Sequence, residues 1–305
     1  MRARLQWDTD GAAWPHRAAS RFVESAGLRW HVQQFLRDAP VVVLIHGTGA
    51  SSHSWRDMVP LLQAHCSLVV MDLPGHGFTG MPSGGPLSAT FSLPGMARAL
   101  SALFASLGMV PALVVGHSAG AAIAVRMCLD GHIQPRTLVS INGALTPLDG
   151  LSGRIFSPLA KVLTLAPLVP ELFAWRAGVP AVLGRLLDGT GSRLHPQGVA
   201  LYRQLVSNPG HAAGALGMMA NWDLPALWRD LPRLATPLEL IVGSNDLIVP
   251  PHTSTRVAAA LTAQPQPAVH TLQGLGHLAH EEQPALVAAH IVRLLAAPDG
   301  GAKHT

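Results

Sequence analysis

The pentapeptide Gly116-His117-Ser118-Ala119-Gly120 has the residue types and spacing of a nucleophile site. It reads G-x-S-x-G, directly after the apolar run 112–115 and directly before a run of small residues with helical character. That setting predicts a sharp strand-to-helix turn that lifts Ser118 above a sheet edge, with small residues at 116 and 120 leaving the backbone room to turn. A helix N-terminus beneath Ser118 would favour developing negative charge. A serine hydroxyl is a weak nucleophile, so it needs a base, and the base needs an acid to orient it. Asp246 follows the apolar run 238–242, and His277 follows the run 268–272, so both are expected on loops at the edge that carries Ser118. Acyl transfer also needs two backbone N–H groups aimed at an oxyanion. Ala119 N–H is the first. Thr48 N–H is the second, because Gly47 and Gly49 on either side permit close approach of main chain to ligand.

Other residues compete for these roles. Asp149 is the reserve acid, lying downstream of the run 137–142. Asp72 follows a strand too, but Pro74-Gly75 turns the chain away, so it reads as loop architecture. His46, His76 and His117 neighbour the motif residues and read as structural. Asn142 is a candidate for lining the pocket, Cys128 reads as core, and His280, Glu281 and Glu282 are expected to open the last helix.

These residues need a scaffold, and its elements are legible. Segments 21–25 and 28–35 flank Ala26-Gly27 and read as a hairpin. Six further apolar runs, at 41–46, 67–72, 112–116, 137–142, 238–243 and 268–272, suit strands buried on both faces of a parallel sheet. Ser92 precedes an apolar stripe through Met96, Leu100, Leu103, Phe104 and Leu107 that Gly108 closes, and residues 119–129 and those after Pro284 form two more helices. The expected fold is α/β, a mostly parallel eight-stranded sheet with helices on both faces. Residues 143–223 contain no convincing strand. Helices are expected at 158–166, 170–187, 196–206 and 210–220, so this block reads as an inserted helical lid, with residues 1–142 and 224–305 as the core. Its apolar residues, Phe173 and Trp175 among them, are expected to cover a pocket for a large apolar ligand. Its basic residues Arg154, Lys161, Arg176, Arg185, Arg193 and Arg203 could pair with ligand carboxylates.

Composition removes several function classes. The chain has 305 residues, 49% hydrophobic and only 12% charged, which excludes intrinsic disorder. The 25 prolines and 30 glycines punctuate it too often for a coiled coil. Net charge is +4, but no basic stripe forms, so nucleic acid is not an expected partner. Residues 1–38 and 143–223 each carry six basic against four acidic side chains, enough for a weak attraction to an anionic membrane surface. Cys66 and Cys128 make no disulfide framework, and the 16 histidines show no metal-binding spacing, so neither metal nor cofactor is expected. Met1-Arg2-Ala3-Arg4 opens no secretory signal, and no apolar run is long enough to span a membrane. The chain reads as cytoplasmic, with peripheral membrane association left open.

Together, His46-Gly47, the segment Asp72 to Gly77, Gly116 to Gly120, Gly243 to Asp246 and Gly276-His277 resemble the α/β-hydrolase superfamily. The likeness runs from about residue 20 to 296. The chain order Ser118, Asp246, His277 is that superfamily's order of nucleophile, acid and base. Trp14-Pro15, Ser20 to Val23, Leu28 to Val32, His46 to Arg56 and Ile141 to Leu145 are similar to the bacteriochlorophyll-synthesis-associated members, described as magnesium-chelatase accessory proteins. That resemblance implies tetrapyrrole biosynthesis and contact with magnesium chelatase. Two functions stand at this point: a serine hydrolase acting on an ester-type bond of an apolar substrate, and an accessory or tetrapyrrole-binding protein that keeps the fold without turnover.

Overall fold

The computed structural model describes residues 4–147, 166 and 168–296. Strands β1 (Ser20–Ser25) and β2 (Leu28–Phe35) pair antiparallel around Ala26 and Gly27. Both turn residues have positive φ, 51° and 72°, as a tight two-residue hairpin with right-twisted strands requires. Six more strands follow: β3 (Val41–Ile45), β4 (Ser67–Met71), β5 (Leu113–His117), β6 (Thr137–Ile141), β7 (Leu238–Gly243) and β8 (Val269–Leu272). They form one eight-stranded sheet in the order β1-β2-β4-β3-β5-β6-β7-β8, in which β2 alone runs against the rest. The expected sheet is therefore present, with boundaries within about one residue of the apolar runs, the usual fraying of element ends.

The two-residue period of the strands divides the core into two layers. Val43, Ile45, Val69, Met71 and Val114 face one layer, filled by helices Leu93–Ser106, Ala119–Leu129 and Leu224–Asp230. Val42, Leu44, Leu68, Val70 and Val115 face the other, filled by helices Val59–Leu62 and Pro284–Ala296. Ser92 caps its helix by accepting from Gly95 N, as the stripe following it required. The chain passes from β3 to its neighbour β4 on one side, then crosses from β4 to β5 on the other side of β3. The carboxyl ends of β3 and β5 thus flank the switch point, where sheets of this kind hold ligands.

Between β6 and β7 lie helices Val169–Ala177, Pro180–Asp188, Pro196–Val206 and Pro209–Ala220. The single helix expected at 170–187 is two. Proline at 180 cannot donate to the preceding turn, and Val179 before it is extended (φ −71°, ψ 124°), so the chain stops and restarts. The helix expected at 158–166 lies outside the described residues, apart from Ala166, as do Asp149, Arg154 and Lys161. His280 to Glu282 do not open the last helix either. They form a separate turn, Ala279–Glu282, ended by Gln283 before Pro284. Glu281 points inward, 2% exposed, where it accepts from Arg56 Nη1 at 2.6 Å and from the Tyr202 hydroxyl at 2.7 Å.

Behind the sheet edge the interior is rich in neutral histidine. His280 is fully buried, packs at a tilt against Trp55 and His117, and has no hydrogen-bond partner for either ring nitrogen. Burial, then the nearby His277 and Arg56, pushes its pKa down to about 3. Burial likewise pushes His211 down to about 4, outweighing the bond its Nε2 donates to the Gly49 carbonyl, while Nδ1 accepts from Gly77 N. Between the ordinary histidine value of 6.5 and these folded values, the unfolded chain binds protons that the native chain does not. The histidine contribution to stability is therefore complete above about pH 6.5 and falls as the pH drops, by up to about 1.4 kcal/mol per pH unit for each such group, offset in part by Glu281, whose carboxyl pKa burial raises to about 7. Urea unfolding at about pH 7 and about pH 5 is expected to show this loss, and His280→Leu to lessen it. Equal losses in the variant and the wild type would contradict the assignment.

Candidate functional site

Ser118 sits between β5 and helix Ala119–Leu129 with φ 50° and ψ −114°, a conformation that a non-glycine residue adopts only under constraint. The constraint comes from both sides. Ser118 N donates to the Ile141 carbonyl, while its own carbonyl accepts from Ala121 N and Ala144 N. A Cβ at position 116 would lie 2.4 Å from Ala121 N, and one at position 120 would lie 2.2 Å from the Ile45 carbonyl oxygen. Both motif positions therefore require glycine.

Asp246 and His277 meet although 31 residues separate them. His277 Nδ1 donates to Asp246 Oδ2 at 2.8 Å, both residues being buried. Asp246 Oδ1 accepts from Ile248 N and Val249 N at 2.8 and 2.9 Å, so its second oxygen is held for the imidazole. That oxygen also accepts from Asn142 Nδ2 at 2.7 Å. Asn142 has φ 49° and is fully buried; it stands behind Asp246 and does not line the pocket as expected. With its Nδ1 proton committed to Asp246, a neutral His277 carries its lone pair on Nε2. Ser118 and His277 line the same cavity, with no hydrogen bond between their side chains; such contacts often tighten only when substrate binds.

The same cavity is lined by Thr48 and Ala119. Among the described residues neither backbone N–H has an acceptor, which leaves two adjacent donors unspent. His117 also lines it; its Nε2 donates to the His277 carbonyl at 2.9 Å, and the two rings lie tilted with centroids 4.8 Å apart. Burial holds His117 well below the ordinary histidine range, reinforced by His280 and His277, so it cannot serve as a second charged group. His46 lies behind the loop, donating from Nδ1 to the Gly47 carbonyl and accepting from Leu73 N, and His76 is buried outside the cavity. Asp72 is the loop anchor expected of it, accepting from Ser52 N, Phe78 N and His31 Nδ1.

The cavity holds about 380 Å³, and its walls are overwhelmingly apolar. Leu183, Leu186, Leu187, Tyr202, Val206, Met219, Trp222 and Leu224 come from the segment between β6 and β7; Ile248 and Val249 come from the loop after β7 and Leu278 from the loop after β8. The segment is tied to the histidine loop by backbone: His277 N donates to the Thr190 carbonyl, and Leu278 N to Ser192 Oγ. Gly276 must be glycine because the main chain at Gly191 and Ser192 crosses 2.3–2.4 Å from where its Cβ would stand. Phe173 and Trp175, expected over the pocket, are instead exposed at 37% and 68%, on the outer side of their helix. Arg176, Arg185, Arg193 and Arg203 are exposed and contribute nothing to the lining. The expected carboxylate-pairing cations are therefore not at this site among the described residues.

Known proteins share this architecture. The alpha/beta hydrolase family matches residues 42–290. The chain is 40% identical to the "Magnesium-chelatase 30 kDa subunit" of Rhodobacter capsulatus, over 88% of this chain and 92% of that one. An alpha/beta hydrolase fold protein from Burkholderia ambifaria superimposes with a TM-score of 0.73 at 20% identity, over 90% of this chain and 97% of the other. A thermophilic esterase from Thermogutta terrifontis does so with a TM-score of 0.68 at 22% identity, over 91% and 98%. At such identities these two structures bear on the fold alone.

Because Trp222 lines the cavity, an apolar ligand entering it is expected to change tryptophan emission saturably. Leu187→Trp should fill part of the space and weaken that binding at least about ten-fold, or about 1.4 kcal/mol. Unchanged affinity in a folded Leu187→Trp protein would place the ligand elsewhere.

Proposed function

The chain belongs to the alpha/beta hydrolase family and, within it, groups with the Rhodobacter capsulatus magnesium-chelatase 30 kDa subunit; from that premise we propose that it is a serine hydrolase cleaving an ester-type bond of an apolar substrate. The observation that carries this reading is the convergence of Ser118, His277 on Asp246, and the two unspent N–H groups of Thr48 and Ala119 around one apolar cavity.

The chemistry follows from that arrangement. Ser118 Oγ attacks the ester carbonyl while His277 Nε2 takes its proton, and Asp246 stabilises the imidazolium without itself being protonated. The tetrahedral oxyanion is held by Thr48 N–H and Ala119 N–H, aided by the N-terminus of the helix Ala119–Leu129. Collapse of the intermediate breaks the ester C–O bond, and the departing alkoxide takes the proton from His277. Water, deprotonated by His277, then attacks the acyl-enzyme and restores Ser118. Asn142 is a positioning residue, fixing the Asp246 oxygen that holds the imidazole.

Cavity size constrains the substrate. About 380 Å³ lies near the lower end of the roughly 300–1,000 Å³ that small-molecule sites span. That suits one acyl or alkyl arm better than a complete tetrapyrrole macrocycle, which under this reading stays at the mouth among Leu186 and Ile248, both half-exposed and both lining the entrance. The helices between β6 and β7 act as the lid in this account. The name of the Rhodobacter capsulatus relative supports a place in tetrapyrrole metabolism and favours a second reading, that of an accessory partner of magnesium chelatase.

Esters of graded acyl length test the proposal. Hydrolysis is expected to be saturable, to prefer apolar arms, and to vanish in Ser118→Ala. Asp246→Asn should lose about four orders of magnitude in kcat through the wrong imidazole tautomer. Asn142→Ala should lose about ten- to a hundred-fold in kcat with KM little changed, as misplacement of the acid predicts. Folded wild-type protein whose ester turnover equals that of Ser118→Ala would favour the accessory reading.

A further inference from the structure

At the opposite edge of the sheet from the cavity, three side chains converge that the hydrolytic chemistry does not use. Glu239 is the second residue of β7 and His270 the second of edge strand β8. Ile241 pairs with His270, and Glu239 lies on the same face as Ile241, so both side chains emerge beneath the final helix. That helix contributes His290. We propose that Glu239, His270 and His290 form a binding site for a divalent first-row transition ion, with zinc as its occupant.

The geometry is close to what such an ion needs. Glu239 Oε2 lies 3.0 Å from His270 Nε2 and 3.4 Å from His290 Nε2, and the three ligand atoms all lie within 4.8 Å of one another. A tetrahedral zinc ion with bonds of about 2.0–2.2 Å separates its ligands by roughly 3.4 Å. His290 is 8% exposed, and its Nε2 faces the Glu239 carboxylate at 3.4 Å, within ion-pair reach but not in a well-formed hydrogen bond. A buried polar nitrogen left this way is costly unless something else satisfies it. Glu239 and His270 are half-exposed, so water can supply the fourth ligand from the solvent side.

The donor set selects the ion. Two imidazoles and one carboxylate suit zinc, cobalt or nickel; magnesium demands six oxygen ligands and keeps its waters. One neighbour opposes loading. Arg293 Nη2 donates to His290 Nδ1 at 2.9 Å, which holds the ring proton on Nε2. Metal binding through Nε2 requires the proton to move to Nδ1 and Arg293, an exposed side chain, to swing away. Once bound, the ion ties β7, β8 and the last helix together, a brace for an edge strand that has a single neighbour.

Untagged full-length protein, freed of metal by chelation, is titrated with zinc by calorimetry and with cobalt by visible absorption. The wild type is expected to bind one equivalent at the site, to show tetrahedral cobalt bands, and to melt at higher temperature with zinc. His270→Ala, on the exposed edge strand, and His290→Ala should each lose at least ten-fold in affinity. Arg293→Ala should gain affinity, and His277→Ala should be unchanged, which separates this site from the cavity histidines. Magnesium should produce no saturable heat. Absence of zinc binding by the wild type, or equal binding by the wild type and a folded His270→Ala protein, would overturn the proposal.

Discussion

The backbone at Ser118 is held in a conformation that no isolated chain would choose, and most of the molecule can be read as what holds it there. A buried strand must end and a helix begin within one residue, which forces φ to 50°. The turn survives because β5 lies in the middle of the sheet, bonded to β3 and β6, and because the helix packs close against the end of β3. Glycine at 116 and 120 is the local consequence, since a single methyl group at either would overlap backbone. Strain of this kind costs about 1–3 kcal/mol and persists only when the surroundings over-determine it. The same turn raises the serine side chain, exposes the N–H of Ala119 and brings both beside the loop after β3.

A second layer of constraint links the segment between β6 and β7 to this edge. Tyr202 forms part of the cavity wall, yet its hydroxyl reaches past the wall to Glu281, which also holds Arg56. A Cβ on Gly198 would come within 2.8 Å of the Arg56 guanidinium, so the helix Pro196–Val206 lies directly on that side chain. A buried ion pair of this kind adds little stability of its own, but removing one partner strands the other charge. It fixes the docking of the segment against the core, as the bonds from His277 N to Thr190 and from Leu278 N to Ser192 also do. The wall of the cavity and the loop that carries His277 are thus positioned by shared contacts.

Local chemistry made part of this legible from residues alone. Apolar runs located six of the strands, and the hairpin's two followed from Ala26-Gly27. The G-x-S-x-G motif, Asp246 and His277 could be placed at one edge because each follows a strand, and parallel strands end on the same side. What escaped were contacts between distant positions. Asn142 gave no sign that it would turn inward to Asp246, 104 residues away, and Glu281 looked like a helix-opening acid until burial brought it to Arg56. Phe173 and Trp175 look like core by type but occupy the outer face of their helix. Glu239, His270 and His290 have no local spacing to betray them, because three separate elements bring them together.

The central claim is that the strained turn presents Ser118 as an activated nucleophile. Treating the intact protein with a fluorophosphonate and mapping the adduct by mass spectrometry tests it most directly. The account predicts a single adduct on Ser118, formed much more slowly in His277→Ala although that variant keeps the same fold. A folded wild-type protein that gains no adduct, or one labelled elsewhere at the same rate after Ser118→Ala, would contradict it.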